Sequence, residues 1–383
     1  MIFRRWSALV LACGLAAAAW VGASAQDPTP APKKSPYLKM AEPWPSAEEM
    51  TARRVDAESR ALFTSHDPIA ITFLADFKTV NKDHDPKSRK RYTGEVRFAR
   101  EEGRIDTLPV QLSARGHVRR MARTCDYVPL RVEFPKDKVA GTVFAHQTAL
   151  KLVVQCAGGG EYEQYLLREY LAYRIYNLVT PRSFRARLAK VTYVDPASNK
   201  TLGSRFGMFL EDDGDVAKRL EGRAVDLPRV EFKDVDMDSM MPMMIFNYMI
   251  GNTDFSIYAL HNVVIVVKPD KSLHSIPYDF DISGLVHPPY AIPDRQLMIK
   301  SVQDRLYRGP CRRQEQIDPI IANFVAKKDQ ILALPASIPE MDRASRDDAK
   351  SYLESFYSSI KSDKDVRRLF VADGGGCKNK STM

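Results

Sequence analysis

The sequence predicts an α+β fold with two lobes, in which a β-rich N-terminal lobe carries one main helix and a mostly helical C-terminal lobe follows. Three observations support this prediction. Apolar and polar residues alternate from 69 to 155, a helical repeat occupies 161–179, and amphipathic helical segments lie near the C-terminus. A hydrophobic fraction of 44% in 383 residues is enough for a sizeable core.

The N-terminal segment has the pattern of a secretory signal peptide. Arg4 and Arg5 precede an apolar run over 8–21, and small residues at 23–25 predict cleavage of segment 1–25. The Pro-rich stretch 26–43 predicts a linker. No other segment is long and apolar enough to span a bilayer. We therefore expect a secreted or periplasmic protein without a transmembrane anchor.

The cysteine content indicates the redox compartment, and the charge distribution indicates the class of partner. Four cysteines follow the predicted cleavage site, which allows up to two disulfides in an oxidising compartment. We expect Cys125 to pair with Cys156, because the segment between them looks like adjoining strands of one sheet. The net charge of +9 is spread over scattered basic residues without interleaved aromatic side chains. This pattern indicates a solvated basic surface and no nucleic-acid partner.

The β-rich lobe is expected over 44–215. Its first element is a helix within 44–62, where Ser46 can cap the N-terminus and acidic residues follow in the first turn. Five strand-like segments come next, then the main helix. Two further strands, joined by the turn Pro-Ala-Ser-Asn-Lys at 196–200, form a hairpin.

The helical lobe is expected over 216–383. A Met-rich apolar segment at 237–250 predicts a buried helix, and segments 314–334 and 347–360 predict two amphipathic helices. Strands, one helix, two more strands and then a mostly helical half is the order of a protein-kinase-like architecture. The sequence therefore predicts a protein-kinase-like arrangement of the two lobes.

Four polar residues lie at predicted strand ends in the helical half. Asp254 ends a Gly-Asn-Thr-Asp turn, Asn262 precedes an apolar strand, and the pair Asp279 and Asp281 follows the next strand. Phosphoryl transfer needs a carboxylate near the attacking hydroxyl and metal ions that neutralise phosphate charge. We therefore interpret Asp254 as the catalytic base and Asp279 as the main Mg²⁺ or Mn²⁺ ligand. Asn262 is a further metal ligand, and Asp281 is a second ligand or a brace.

Groups that could hold nucleotide phosphates are predicted in the β-rich lobe. Lys151 lies on a strand with its side chain opposite to the neighbouring leucines, and Glu169 of the main helix could brace it through an ion pair. Arg115 precedes a glycine at a strand end, where the backbone could approach a phosphate. A lone lysine or Asp-x-Asp is common on protein surfaces. The order of these residues along the chain, rather than any one of them, favours a nucleotide site.

These motifs resemble those of the CotH-type secreted kinases, first known from bacterial spore coats. The resemblance extends over 107–286, and its most specific parts are "NYMIGNTDFSIYALHNVVIV" and "IPYDFDISGLV". It implies a catalytic acid at Asp254 and Mg²⁺ binding at Asp279, with Asn262 as the second metal ligand. It also implies ATP as the cofactor, and transfer of its γ-phosphoryl group to a hydroxyl of an exported or envelope protein.

The resemblance leaves the nucleotide-contacting cation open between Lys151 and Arg131. Two other functions also stay open. A non-catalytic, pseudokinase-like binding or structural protein of the cell envelope would use the same acids to cap loops or to bind a structural cation. A metal-dependent hydrolase of phosphate esters is disfavoured, because few histidines lie near the acids. The sequence does not predict the oligomeric state.

Overall fold

The computed structural model describes residues 35–100, 103–372 and 377, except for the side chain of Pro36. The signal peptide predicted at 1–25 and the first half of the linker predicted at 26–43 therefore lie outside the described residues. The end of that linker forms a short helix, α1 (Pro36–Ala41). Helix α2 (Ala47–Glu58) confirms the first predicted helix, since the Ser46 side chain caps it by accepting a hydrogen bond from the amide of Glu49.

Seven strands form a closed barrel. They are β1 (Ile69–Leu74), β2 (Tyr92–Ala99), β3 (Ile105–Ala114), β4 (Leu130–Glu133), β5 (Ala149–Val154), β6 (Ala186–Asp195) and β7 (Lys200–Leu210). Their order around the barrel is β1-β2-β3-β4-β5-β7-β6, and the pairing of β6 with β1 closes it. Only the β1–β6 pair is parallel, and β6 with β7 forms the predicted hairpin.

Alternation along β5 separates the two faces of the barrel wall. Leu150, Leu152 and Val154 belong to the hydrophobic cluster inside the barrel, whereas Val153 belongs to the cluster outside it. Lys151 therefore points outward, as the sequence predicted. The two faces of β5 therefore contact two different hydrophobic clusters, one inside the barrel and one outside it.

Two helices connect barrel strands. The short helix α3 (Phe77–Val80) follows β1. The main helix α4 (Gly160–Val179) joins β5 to β6 and packs on the outer face of β6 and β7. Glu161 and Glu163 lie in its first turn, where they complement the helix dipole, and Pro181 follows its end.

The remainder of the chain contains a second sheet and more helices. Strands β8 (Arg223–Val225), β9 (Val263–Val267) and β10 (Leu273–Pro277) form an antiparallel sheet in the order β10-β9-β8. The helices are α5 (Asp213–Arg219), α6 (Met237–Ile250), α7 (Gln314–Ala326), α8 (Lys328–Ala333), α9 (Arg343–Ser359) and α10 (Asp363–Phe370). Segment 314–334, expected as one helix, is divided between α7 and α8.

One continuous hydrophobic cluster extends from the outer face of the barrel to the C-terminal helices. It includes Met208 of β7, Tyr173 of α4, Phe246 of α6 and Phe356 of α9. A separate cluster fills the barrel interior. The barrel wall is thus buried on its inner face and also on the part of its outer face that α4 covers.

The prediction of a two-lobed protein-kinase-like fold is wrong. The strands assigned to the β-rich lobe close into a seven-stranded barrel, and a separate three-stranded sheet lies in the half that was expected to be mostly helical. Alternation predicts which side chains share a strand face, but it carries no information about which strands pair. The decisive β1–β6 pairing joins segments that are distant in sequence.

Two disulfides are formed. Cys125 bonds to Cys156, which confirms the predicted pair, and Cys311 bonds to Cys377. The part of the chain that the structure describes contains no helix long and apolar enough to cross a membrane. The two disulfides are compatible with an extracellular or periplasmic protein.

Candidate functional site

One pocket of about 300 Å³ brings together residues that are distant in sequence, and it is called the acidic pocket below. Its wall contains Asp254, Asn262, Asp279 and Asp281, together with Arg115 from the loop after β3. These are five of the seven residues that the sequence singled out. The other two, Lys151 and Glu169, are adjacent to it.

The end of helix α6 positions Asp254. Gly251 terminates the helix in the left-handed conformation, with φ of +65°. The next residue, Asn252, is buried, and its Oδ1 accepts a hydrogen bond from the amide of Asp254 at 2.9 Å. Its Nδ2 donates to Asn247 Oδ1 of the helix, also at 2.9 Å. The Asp254 backbone is thereby attached to a buried helix, through an asparagine that the sequence analysis did not select.

The Asp254 carboxylate has two side-chain partners. His261 Nε2 lies 3.0 Å from its Oδ1, and Asn262 Nδ2 donates to its Oδ2 at 3.1 Å. The hydrogen bond from His261 to Asp254 raises the pKa of the histidine. One third of the Asp254 side chain stays exposed. The carboxylate is therefore held in place and remains accessible to a ligand.

Two residues of the acidic pocket have an uncommon backbone conformation. Asn262, before β9, has φ of +54°, and Asp279, after β10, has φ of +64°. The two strand ends are held side by side, because the amide of Tyr278 donates to the Asn262 carbonyl at 3.1 Å. The amide of Asp279 lies 2.9 Å from the Tyr173 hydroxyl of α4. Residues held in such conformations are concentrated at functional sites.

Three carboxyl groups lie close together beside the pocket. Asp281 is buried, and burial together with the neighbouring Asp279 raises its pKa to about 7. Burial also raises the pKa of Glu169 well above its ordinary range, and both aspartates add to that effect. The Tyr290 hydroxyl donates to Asp281 Oδ2 at 3.1 Å. These buried carboxyl groups therefore bind protons more tightly than exposed carboxyl groups do.

Arg119 lies among these acids. Its Nη1 is 3.8 Å from Glu169 Oε2, and its Nε is 3.9 Å from Asp281 Oδ2. Burial opposes its charge, but Tyr290 and the carboxyl groups raise its pKa above the usual value. Sequence reasoning counted this arginine among scattered basic residues. The sequence feature that could have identified Arg119 is its position four residues after Arg115, in the same short loop.

The ion pair expected between Lys151 and Glu169 does not form. Lys151 Nζ lies 2.6 Å from Asp213 Oδ1 and 4.7 Å from the centre of the Tyr278 ring. Glu169 has Arg119 as its cationic neighbour instead. Burial lowers the pKa of Lys151, while Asp213 opposes that shift. The alternative cation, Arg131, is exposed on β4, 3.4 Å from Glu133.

The acidic pocket contains side chains of the kind that bind a hard divalent cation. Within residues 35–100, 103–372 and 377, no group of three or more His, Cys, Asp or Glu side chains is arranged to hold a metal ion. Asp279, Asp281 and Asn262 line the same pocket and carry oxygen atoms. Because Mg²⁺ is commonly held by one or two carboxylates, water and substrate phosphates, a cation at these residues would share its coordination with a ligand. The buried Glu169 Oε1 has no hydrogen-bond partner.

Comparison of the sequence with models of known protein families finds no match, and a search of curated proteins finds no match either. A functional assignment therefore depends on the geometry of the acidic pocket and on the sequence motifs that line it.

Proposed function

We propose that the acidic pocket binds ATP with Mg²⁺ or Mn²⁺ and that the protein transfers the γ-phosphoryl group to a hydroxyl of an exported or envelope protein. The observation that carries this proposal is the presence, in one pocket, of an accessible carboxylate at Asp254, an oxygen donor pair at Asp279 and Asp281, and a cation at Arg115. The resemblance of the lining motifs to the CotH-type secreted kinases supports the same activity. The proposal does not depend on the overall fold.

The proposed nucleotide has both apolar and cationic contacts available. Val153, Leu210 and Ile282 contribute apolar surface to the pocket, on which a base could rest. Arg115 has no carboxylate within ion-pair distance among the residues that the structure describes, so its guanidinium is available to a phosphate. Lys151 is less available for this role, because Asp213 already pairs with it.

Each polar residue has a distinct part in the proposed transfer. A divalent cation held by Asp279, Asp281 and Asn262 would neutralise phosphate charge. Asp254 would orient the acceptor hydroxyl and accept its proton, which requires hydrogen-bond contact between the two groups. His261 donates to Asp254 and holds the carboxylate in its position.

A second function is favoured by the position of Arg119. Its guanidinium lies close to both Glu169 and Asp281, so the protein itself supplies a cation that partly compensates these acids. In a non-catalytic binding or structural protein, this internal compensation would stabilise the fold without any metal ion. The two functions differ in whether metal and nucleotide bind.

A transfer assay tests the proposal. The purified, disulfide-bonded protein is incubated with Mg²⁺ or Mn²⁺, a generic acceptor protein, and ATP labelled at the γ- or the α-phosphate. We expect label from the γ-phosphate only, lost in Asp254→Ala and Asp279→Ala but retained in the matched control Asp270→Ala, which alters an exposed turn between β9 and β10. Label from the α-phosphate would replace the proposal with nucleotidyl transfer. Absence of label, with no thermal stabilisation by metal and ATP, would overturn it in favour of the non-catalytic function.

A further inference from the structure

A second pocket of about 300 Å³ lies at the end of the barrel where β1, β5 and β6 finish, and it is called the mouth pocket below. Its wall is largely apolar and aromatic, with contributions from Phe77, Tyr127, Leu130, Val154 and Tyr193. None of the residues proposed for phosphoryl transfer lines it. Barrel mouths often hold small ligands, and this volume is near the lower end of the usual range of about 300–1,000 Å³.

Two cationic side chains also line the mouth pocket. Neither Arg205 nor Lys78 has a carboxylate within ion-pair distance in the described part of the chain. The Arg205 guanidinium donates to the Tyr127 hydroxyl at 2.8 Å and lies 4.1 Å from the centre of the Tyr127 ring. Tyr193 is on the same side, with its ring centre 5.5 Å away. An arginine has five N–H donors, so this contact leaves others for an anion.

We propose that the mouth pocket binds a small aromatic carboxylate. The aromatic and aliphatic wall would contact the ring, and Arg205 and Lys78 would bind the carboxylate. A purely apolar ligand would leave both cations unused, and a bare inorganic anion would leave the apolar wall unused. The site is independent of the proposed phosphoryl transfer.

Calorimetric titration of the full, disulfide-bonded protein with benzoate tests this proposal. We expect saturable binding that weakens by about tenfold or more in Arg205→Met, because a charge-assisted hydrogen bond is lost. The matched control Lys200→Met, at an exposed position on the same strand, should bind as the unaltered protein does. Phenol, which lacks the carboxylate, should bind more weakly than benzoate.

A further variant keeps the test decisive if Arg205→Met does not fold. Lys78→Met changes an exposed side chain and should weaken the binding of benzoate. Absence of saturable binding in the millimolar range would overturn the proposal. Equal affinity of the folded Arg205 or Lys78 variants and the control would overturn it as well.

Discussion

The acidic pocket and the mouth pocket have the same volume, about 300 Å³, but opposite chemistry. Several carboxyl groups lie close together beside the acidic pocket, and two of its non-glycine residues have positive φ values. The second is an aromatic and aliphatic cavity with cations that lack carboxylate partners. The outward and inward faces of β5 separate the two, since Val153 borders the first and Val154 the second. The difference shows that the two faces of one strand can line a charged pocket and an apolar pocket.

Of the predicted changes, replacement of Arg119 beside the acidic pocket should have the largest effect on the free energy of unfolding. Arg119→Met removes the cation beside Glu169 and Asp281 and leaves buried acids without compensation. We expect the free energy of unfolding to fall by about 3–5 kcal/mol at neutral pH, as for other buried ion pairs that lose one partner. Chemical denaturation measures this, with Arg123→Met at an exposed position as the control. Equal stability of the two variants would show that the acids are neutral in the folded protein.

Removal of the disulfide that joins segments lining both pockets should have the next largest effect. Cys125–Cys156 joins the segment after β3 to the end of β5, at a sequence separation of 31. The Cys125→Ser, Cys156→Ser double variant should lose about 2–4 kcal/mol of unfolding free energy, because the unfolded chain gains freedom. It should also weaken ligand binding at both pockets.

The matched control for that prediction is the double serine variant of the second disulfide, Cys311–Cys377. It should lose stability without a loss of ligand affinity at the mouth pocket. Equal loss of affinity in both double variants would argue against a local role for Cys125–Cys156.

The acidic pocket should also make folding stability depend on pH, whereas the mouth pocket should not. Burial and the neighbouring Asp279 raise the pKa of Asp281 from 3.8 to about 7. The folded protein therefore binds this proton more tightly than the unfolded chain does. Folding stability should increase by up to a few kcal/mol as the pH falls from about 7 towards 4, and this gain should be lost as the pH rises through 7.

Denaturation in the presence of a chelator, at several pH values, measures that dependence. Asp281→Asn should flatten the profile, whereas Asp318→Asn, at an exposed position of α7, should keep it. Superimposable profiles of the unaltered protein and Asp281→Asn would contradict the raised pKa.

The smallest expected effect concerns the partner of Lys151. A double-mutant cycle with Lys151→Met and Asp213→Asn should give a coupling energy of about 0.2–1 kcal/mol, since Asp213 is partly exposed. The corresponding cycle with Glu169→Gln should give a coupling near zero. A larger coupling to Glu169 would restore the pairing that the sequence alone suggested.

Local features of the fold could be predicted from the sequence, but its topology could not. Period-two alternation identified the barrel strands and the β6–β7 hairpin, and helical periodicity with Pro181 identified α4. Closure of the barrel depends on the parallel pairing of β1 with β6. No local pattern encodes that contact, because it is determined by which surfaces pack together in the folded chain.

The same distinction applies to the candidate site. Asp254, Asn262, Asp279 and Asp281 lie near one another in sequence, and their grouping followed from two adjacent strand ends. The contact of Arg119 with the acids joins three separate elements, so spacing could not predict it. Lys151 faces outward as expected, but its partner depends on where α4 and α5 lie relative to β5.

The proposed transfer requires that the acidic pocket bind a metal ion together with a nucleotide. This binding can be measured by calorimetric titration of the disulfide-bonded protein with a non-hydrolysable ATP analogue, in the presence of Mg²⁺ or of a chelator. We expect saturable binding that requires Mg²⁺, is lost in Asp279→Ala and is retained in Asp270→Ala. Absence of binding in both conditions, or equal binding by the two variants, would contradict it.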